Sequence, residues 1–468
     1  MAFANIPAFD PKPSREATSS VGTKKSAKLK LWPVVAATFF MVSGGSYGTE
    51  DIVHGEGYSR AILILLLTPI LWSLPTTLMI AELSSALPAE GGFYAWVRRA
   101  IGNFWGFQEA WLSLVASIFD MAIYPTLFVL YLTRLFPWFD TNGRGIIMGL
   151  AVVIVCAGLN IAGIRVVATT SIWLFVLVSA PFALIVILAP FKYGVLAHAV
   201  TTLTTHKIDI IGGLLIAMWN YMGWDNASTI AAEVERPQRT YPRAMMGAVV
   251  LVALSYILPV AAMAMTRLSP GAWETGSWAE AAGLVGGPLL RVGMVLGGML
   301  SAFGMFNALV MSYSRLPFAM SQDGMLPPVF QKVTRRSGAP WVAILVLATG
   351  WALCLGLGFE RLVTIDILVY GASLLLEFLA LAVLRFTEPN LPRPFQVPGG
   401  KLSAVLIGVC PMLLLGISIF RGEHEQVLGM SSLTFGLLLI VGGFVAYGID
   451  LVLRPKRILQ PRVDLPRE

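Results

Sequence analysis

Charge is what this chain has least of: Asp, Glu, Lys and Arg together make up 13% of its 468 residues, while 56% are hydrophobic. Soluble domains carry about 25% charged residues, so this composition, with a mean hydropathy of +0.75, excludes one and indicates an integral membrane protein. Cysteine is also scarce. Cys156, Cys354 and Cys410 each sit inside an apolar run without metal-ligand spacing and are read as packing residues. The four histidines, His54, His198, His206 and His424, fall in outer loops or at the ends of runs, and no HExxH, P-loop or GxSxG sequence is present. No catalytic constellation, cofactor or metal site is therefore expected, and the chain is not read as an enzyme.

What the sequence does contain is long apolar runs. Twelve of them reach or approach the roughly 20 residues a helix needs to cross a bilayer, from Trp32 to Leu453. Alternating ten-residue segments, the mark of a membrane β-barrel, are missing. The formal net charge of +7 could suggest nucleic acid, but most Lys and Arg fall in alternate loops and the two tails. That is the positive-inside pattern: it predicts a multi-pass cell-membrane protein with both termini cytoplasmic and no nucleic-acid partner. Residues 1–30, ending in Lys24, Lys25, Lys28 and Lys30, are expected to form a flexible cytoplasmic arm, and 455–468 a second cytoplasmic tail.

Two runs are interrupted near their middles. The first, Trp32 to His54, contains SGGSYG over Ser43, Gly44, Gly45, Ser46, Tyr47 and Gly48, then Thr49, Glu50 and Asp51. The sixth, Ile210 to Ala232, contains MWNYMGWDNAST, with Trp219, Asn220, Tyr221, Gly223, Trp224, Asp225 and Asn226. Glycine loosens a helix, and polar backbone at this depth persists where it is buried in protein or lines a cavity. The breaks lie five spans apart and so run in opposite directions, as in inverted-repeat transporters whose site lies between broken helices. The predicted fold is all-α: twelve transmembrane helices in a LeuT-like 5+5 inverted repeat, with 31–190 the first repeat, 208–385 the second, and helices 11 and 12 over 402–454.

The polar residues inside the runs share one sign. Asp120, Asp225 and Glu377 are predicted well within spans, Glu50 and Asp51 follow a break, and no Lys or Arg falls at comparable depth. A buried carboxylate without a partner either takes up a proton or awaits a cation. Ser113, Ser117, Asp120 and Tyr124 line one face of span three, and Asp366, Tyr370, Ser373 and Glu377 one face of span ten, with Asp366 read as solvated near the outer surface. Tyr47, Tyr124, Trp219, Tyr221 and Trp224 are candidates for a cation-π wall, or for ordinary packing. Glu50 is open to two readings, a helix cap or a substrate and proton group, and the same holds for Asp51. Asp120 and Asp225 could instead be structural, hydrogen-bonded within the fold. The candidate substrate site is Ser43, Gly44, Gly45, Tyr47, Gly48, Glu50, Asp120, Tyr124, Trp219, Asn220, Tyr221, Trp224 and Asp225; the proton candidates are Glu50, Asp51, Asp120, Asp225 and Glu377.

These residues resemble a known group. GGSYGTED, AELSSALPAEGGFYAW, FWGFQEAW, LNIAGIR, WNYMGWDNASTIAAEVERPQRTYPRA, AMSQDGMLP, LLEFLALAVLR and RPFQVPGG are similar to segments of the amino acid, polyamine and organocation (APC) superfamily. The GTED, WD and LLEF segments resemble its plant-type polyamine uptake subgroup. The resemblance implies proton-driven uptake of putrescine- or spermidine-like cations, with the bilayer, protons and a small organic cation as partners. Two alternatives stay open: a proton-coupled permease for neutral or cationic amino acids, and a membrane sensor that binds an amine without moving it.

Overall fold

The computed structural model describes residues 28–194, 210–266, 268–355, 359–422, 426–427 and 429–458. They form an all-helical bundle: α1 (Leu31–Val42), α2 (Glu50–Thr68), α3 (Leu74–Ala86), α4 (Phe93–Ile101), α5 (Asn103–Leu135), α6 (Arg144–Ala162), α7 (Ile164–Tyr193) and α8 (Ile210–Asn220). After a 3-10 segment (Trp224–Glu233) come α9 (Pro237–Met263), α10 (Trp278–Tyr313), α11 (Arg315–Gln322), α12 (Trp341–Leu353), α13 (Phe359–Thr387), α14 (Gly400–Leu406), α15 (Val409–Gly422) and α16 (Ser432–Ile458). A two-residue antiparallel pair, Gln426–Val427 with Met430–Ser431, joins the last two.

Among the described residues nine helical stretches are long and apolar enough to span a membrane, and α1 and α12 are shorter apolar helices. Twelve apolar runs reduce to nine long helices partly because the two glycine-rich interruptions cut their spans into pieces too short to qualify. The outer surface is apolar where lipid would lie: Ile147 and Ile154 of α6, Trp173 and Leu177 of α7, and Leu438 and Val445 of α16 are all exposed. Helices α5, α10 and α13 form the middle of the bundle, with α10 packed on both α5 and α7 and α13 on α5.

Prolines inside these helices free carbonyls, and side chains from elsewhere in the fold take them up. Proline lacks the N–H that would bond four residues back. The carbonyl of Leu65, four before Pro69, accepts from Tyr221 Oη at 2.9 Å. That of Ser255, four before Pro259, accepts from Ser46 Oγ at 2.7 Å. That of Leu284, four before Pro288, accepts from Lys192 Nζ at 2.8 Å and Tyr193 Oη at 3.1 Å. Each bond satisfies a group that hydrocarbon could not, and each ties one helix to a specific neighbour.

At one end of the bundle the ion pairs are dense. Arg315 Nη2 lies 2.7 Å from Glu233 Oε1, Arg98 pairs with Asp323, and Arg99 with Glu388 at 2.7 Å. The Arg99 hydrogen bonds hold the Glu388 carboxyl below its ordinary range, whereas burial raises that of Glu90, with Arg315 opposing. The arm expected over 1–30 lies mostly outside the described residues, but its end is pinned. Leu29 is buried, donating its N–H to the Glu233 carbonyl at 2.9 Å and accepting from Glu235 N–H at 2.8 Å. An apolar side chain beside the open end of the 3-10 segment has both a pocket and backbone partners, which the polarity of its neighbours conceals.

Candidate functional site

Both interruptions are unwound backbone. Between α1 and α2 the chain passes through Gly45 (φ +94°) and Gly48 (φ +95°), a region closed to most side chains. Between α8 and the 3-10 segment it turns at Gly223 (φ +87°), where an added Cβ would lie 2.5 Å from the Met41 carbonyl oxygen. That close approach brings the breaks together. Side chains satisfy the freed polar groups: Ser301 Oγ donates to the Gly44 carbonyl (2.6 Å), Trp278 Nε1 to that of Ser46 (2.8 Å), Asn220 Nδ2 to that of Gly48 (3.1 Å), Tyr256 Oη to that of Asn220 (2.6 Å) and Trp72 Nε1 to that of Tyr221 (3.0 Å).

Between the breaks lies a cavity of about 40 Å³ open to the centres of water molecules, bounded by α1, α5, α8, α10 and α13. At roughly 10–15 Å³ for one water it has room for a few, so a larger solute enters only as side chains withdraw. Of the residues named from sequence, Gly44, Tyr47, Asp120, Tyr124, Trp219 and Asn220 line it. Asp120 Oδ1 accepts from Tyr124 Oη at 2.7 Å, and Oδ2 from Tyr313 Oη at 3.5 Å. Asp225 lies one bond behind the wall: Tyr370, a lining residue, donates its hydroxyl to Asp225 Oδ1 at 2.5 Å and accepts the Gly223 N–H at 3.2 Å.

The other named residues serve elsewhere. Ser43 Oγ accepts the Gly45 N–H at 3.1 Å. Glu50 is fully buried off the cavity: Oε2 accepts the Gly48 N–H (2.6 Å), and Oε1 accepts Tyr131 Oη (2.7 Å) and the Gly276 N–H (3.1 Å). This carboxylate clasps the break. Asp51 is half-buried and reaches Thr275 Oγ1 at 3.3 Å. Of the five aromatics offered as a wall, Tyr221 and Trp224 are fully buried away from the cavity, because the turn at Gly223 directs them into the packing; Tyr221 meets Tyr256 edge to face, with centroids 4.9 Å apart. Glu377 is buried off the cavity too.

Two acids were misjudged from the sequence. Asp366, expected to be solvated, is only 4% exposed and lines the cavity without a hydrogen-bond partner among the described residues. Its place near the start of α13 suggested water, but the neighbouring helices enclose it there. Glu109, not among the acids read from the sequence, lies inside α5 and is fully buried; Gly102 (φ +97°) ends α4, and α5 begins at the next residue. The spacing that marks Ser113, Ser117, Asp120 and Tyr124 reaches back four residues to Glu109 and could have found it. Tyr131, Tyr256, Tyr313 and Tyr370 complete a tyrosine-rich wall.

Two carboxylates thus face the cavity and a third stands behind Tyr370, with no Lys, Arg or His in the lining. Among the described residues no three His, Cys, Asp or Glu gather closely enough to hold a metal ion.

Comparison with known proteins identifies the family. Residues 34–444 match the amino acid permease family. The chain is 35% identical over 437 residues to a probable polyamine transporter of Arabidopsis thaliana, covering 93% of this chain and 89% of the relative. It is 34% identical to a polyamine transporter of Oryza sativa subsp. japonica, over 88% of this chain and 77% of the relative. It is 25% identical to the serine/threonine exchanger of Bacillus subtilis (strain 168), over 91% and 95% respectively. This multi-pass membrane chain is therefore a transporter, not an enzyme, and belongs to the amino acid permease family.

Proposed function

We propose that the protein is a proton-coupled importer of polyamines or related organic cations, working by alternating access through twelve spans arranged as two inverted five-helix repeats plus two. The observation that carries this reading is the set of acids at the cavity: Asp120 and Asp366 in its lining and Asp225 behind Tyr370, with no lining cation. Ammonium groups several bonds apart on a flexible chain would answer those charges, and Tyr47, Tyr124 and Trp219 offer aromatic surface to the methylenes between them. The relatives named as polyamine transporters support the substrate class.

An amino-acid substrate is the second reading, supported by the similarity to a serine/threonine exchanger. Its carboxylate would need backbone N–H groups at the first break. There Glu50 occupies the Gly48 N–H and Ser43 the Gly45 N–H, which weighs against an anionic group. The discriminating experiment is uptake into proteoliposomes of labelled putrescine, spermidine, arginine and leucine, with and without an inward proton gradient. The expected result is gradient-stimulated uptake of the two polyamines and little of leucine. Leucine uptake that putrescine does not inhibit would establish the amino-acid reading instead.

A further inference from the structure

Outside the cavity, α5 and α13 share a second polar contact. Glu109 and Ser113 stand one turn apart on α5, Ser373 and Glu377 one turn apart on α13, and the two pairs face each other. Glu109 Oε1 accepts from Ser373 Oγ at 2.6 Å and from Ser113 Oγ at 3.3 Å, and the two serine oxygens are 3.0 Å apart. Glu377 is fully buried, and among the described residues neither of its oxygens has a hydrogen-bond partner; Glu109 Oε2 also lacks one there. An ionised carboxylate so placed is among the most costly groups a protein can bury. Three orphaned acceptor oxygens at one helix contact need a donor that the described residues do not supply.

No described cation reaches these oxygens. The charged neighbours of Glu377 are Asp225 and Glu109, both acids. On α13 the Tyr370 hydroxyl is committed to Asp225. On α4, Tyr94 and Arg98 engage Asp323, and Arg99 engages Glu388. Glu82 of α3 is paired with Arg385 and Arg393, Lys401 of α14 lies 5.3 Å from the Phe386 ring, and α16 contributes a further acid, Asp450.

We propose that Glu109 and Glu377 form a proton-binding site separate from the substrate cavity, where a buried carboxyl takes up the co-transported proton. One proton added at Glu377 removes a buried charge that no described cation balances, and its departure restores that charge. The substrate site feels the difference through Asp225: it is a charged neighbour of Glu377 and is bonded to Tyr370, two turns back along α13. This assignment rests on the proton-coupled reading above and adds where the proton sits.

The test compares the parent with Glu377→Gln and Glu109→Gln in proteoliposomes, measuring putrescine accumulation driven by a proton gradient and putrescine counterflow at equal pH on both sides. For the parent, one carried proton sets about tenfold greater accumulation for each pH unit of gradient. Both variants are expected to bring that ratio close to one while keeping counterflow within about twofold, since neither residue touches the cavity. Full stimulation in the variants overturns the assignment and leaves proton coupling intact. Loss of counterflow together with stimulation also overturns it, because it makes these residues part of substrate exchange. A parent that ignores the gradient overturns the proton-coupled reading itself, and this site with it.

Discussion

Asp120→Asn is expected to weaken putrescine binding by about 30-fold or more and to reduce uptake at low substrate accordingly. Removing the charged partner of a desolvated cation costs about 2–5 kcal/mol, and about 1.4 kcal/mol is a factor of ten in affinity. The substitution keeps the shape of the side chain. Its amide oxygen can still accept from Tyr124 Oη, now 2.7 Å from Oδ1, so the fold should tolerate the change and the loss should appear in binding. Titration calorimetry of the purified variant measures it. An affinity within about threefold of the parent's, in a variant that melts normally, would remove Asp120 from the substrate site.

The second large effect concerns stability. Glu82→Ala is expected to destabilise the protein by about 3–5 kcal/mol, because it leaves buried guanidinium groups unpaired. Glu82 is fully buried, with Oε1 and Oε2 each 2.5 Å from a nitrogen of Arg385, Oε1 3.2 Å from Arg393, and Oε2 accepting the Val397 N–H at 2.8 Å. One carboxylate thus fastens the end of α3 to the end of α13 and to the segment that follows. Thermal melting in detergent should show a lower midpoint for Glu82→Ala. The double variant Glu82→Leu with Arg385→Leu should recover part of the loss, since replacing a buried pair together costs less than breaking it. A single variant that melts like the parent would show that the pair contributes little to holding these ends together.

Much of this architecture was legible in the sequence because its determinants are local. Three glycines within Ser43–Gly48, and Gly223 among polar residues, weaken a continuous helix locally, and both breaks stand at these positions. Asp120 announced itself by helical spacing with Ser113, Ser117 and Tyr124, a spacing that extends to the overlooked Glu109. What failed depends on neighbours distant in sequence. Asp366 sits near a helix start, and only the packing of other helices encloses it at the cavity. Tyr221 and Trp224 are next to the break, yet the left-handed turn at Gly223 decides which aromatics face the cavity, and it selects Trp219. The clasp of Glu50 depends on Tyr131 and Gly276, far along the chain. Sequence supplied the acids; tertiary packing decides which of them a substrate can reach.

That distinction makes the number of positive charges on the substrate the most direct quantity to measure. Putrescine and butylamine share a four-carbon chain and differ in whether both ends carry an ammonium group. If Asp120 and Asp366, with Asp225 behind them, serve separated charges, titration calorimetry of the purified protein should find putrescine binding at least about tenfold tighter than butylamine, a difference of about 1.4 kcal/mol. Equal affinity for the two amines would contradict a site built for more than one cation.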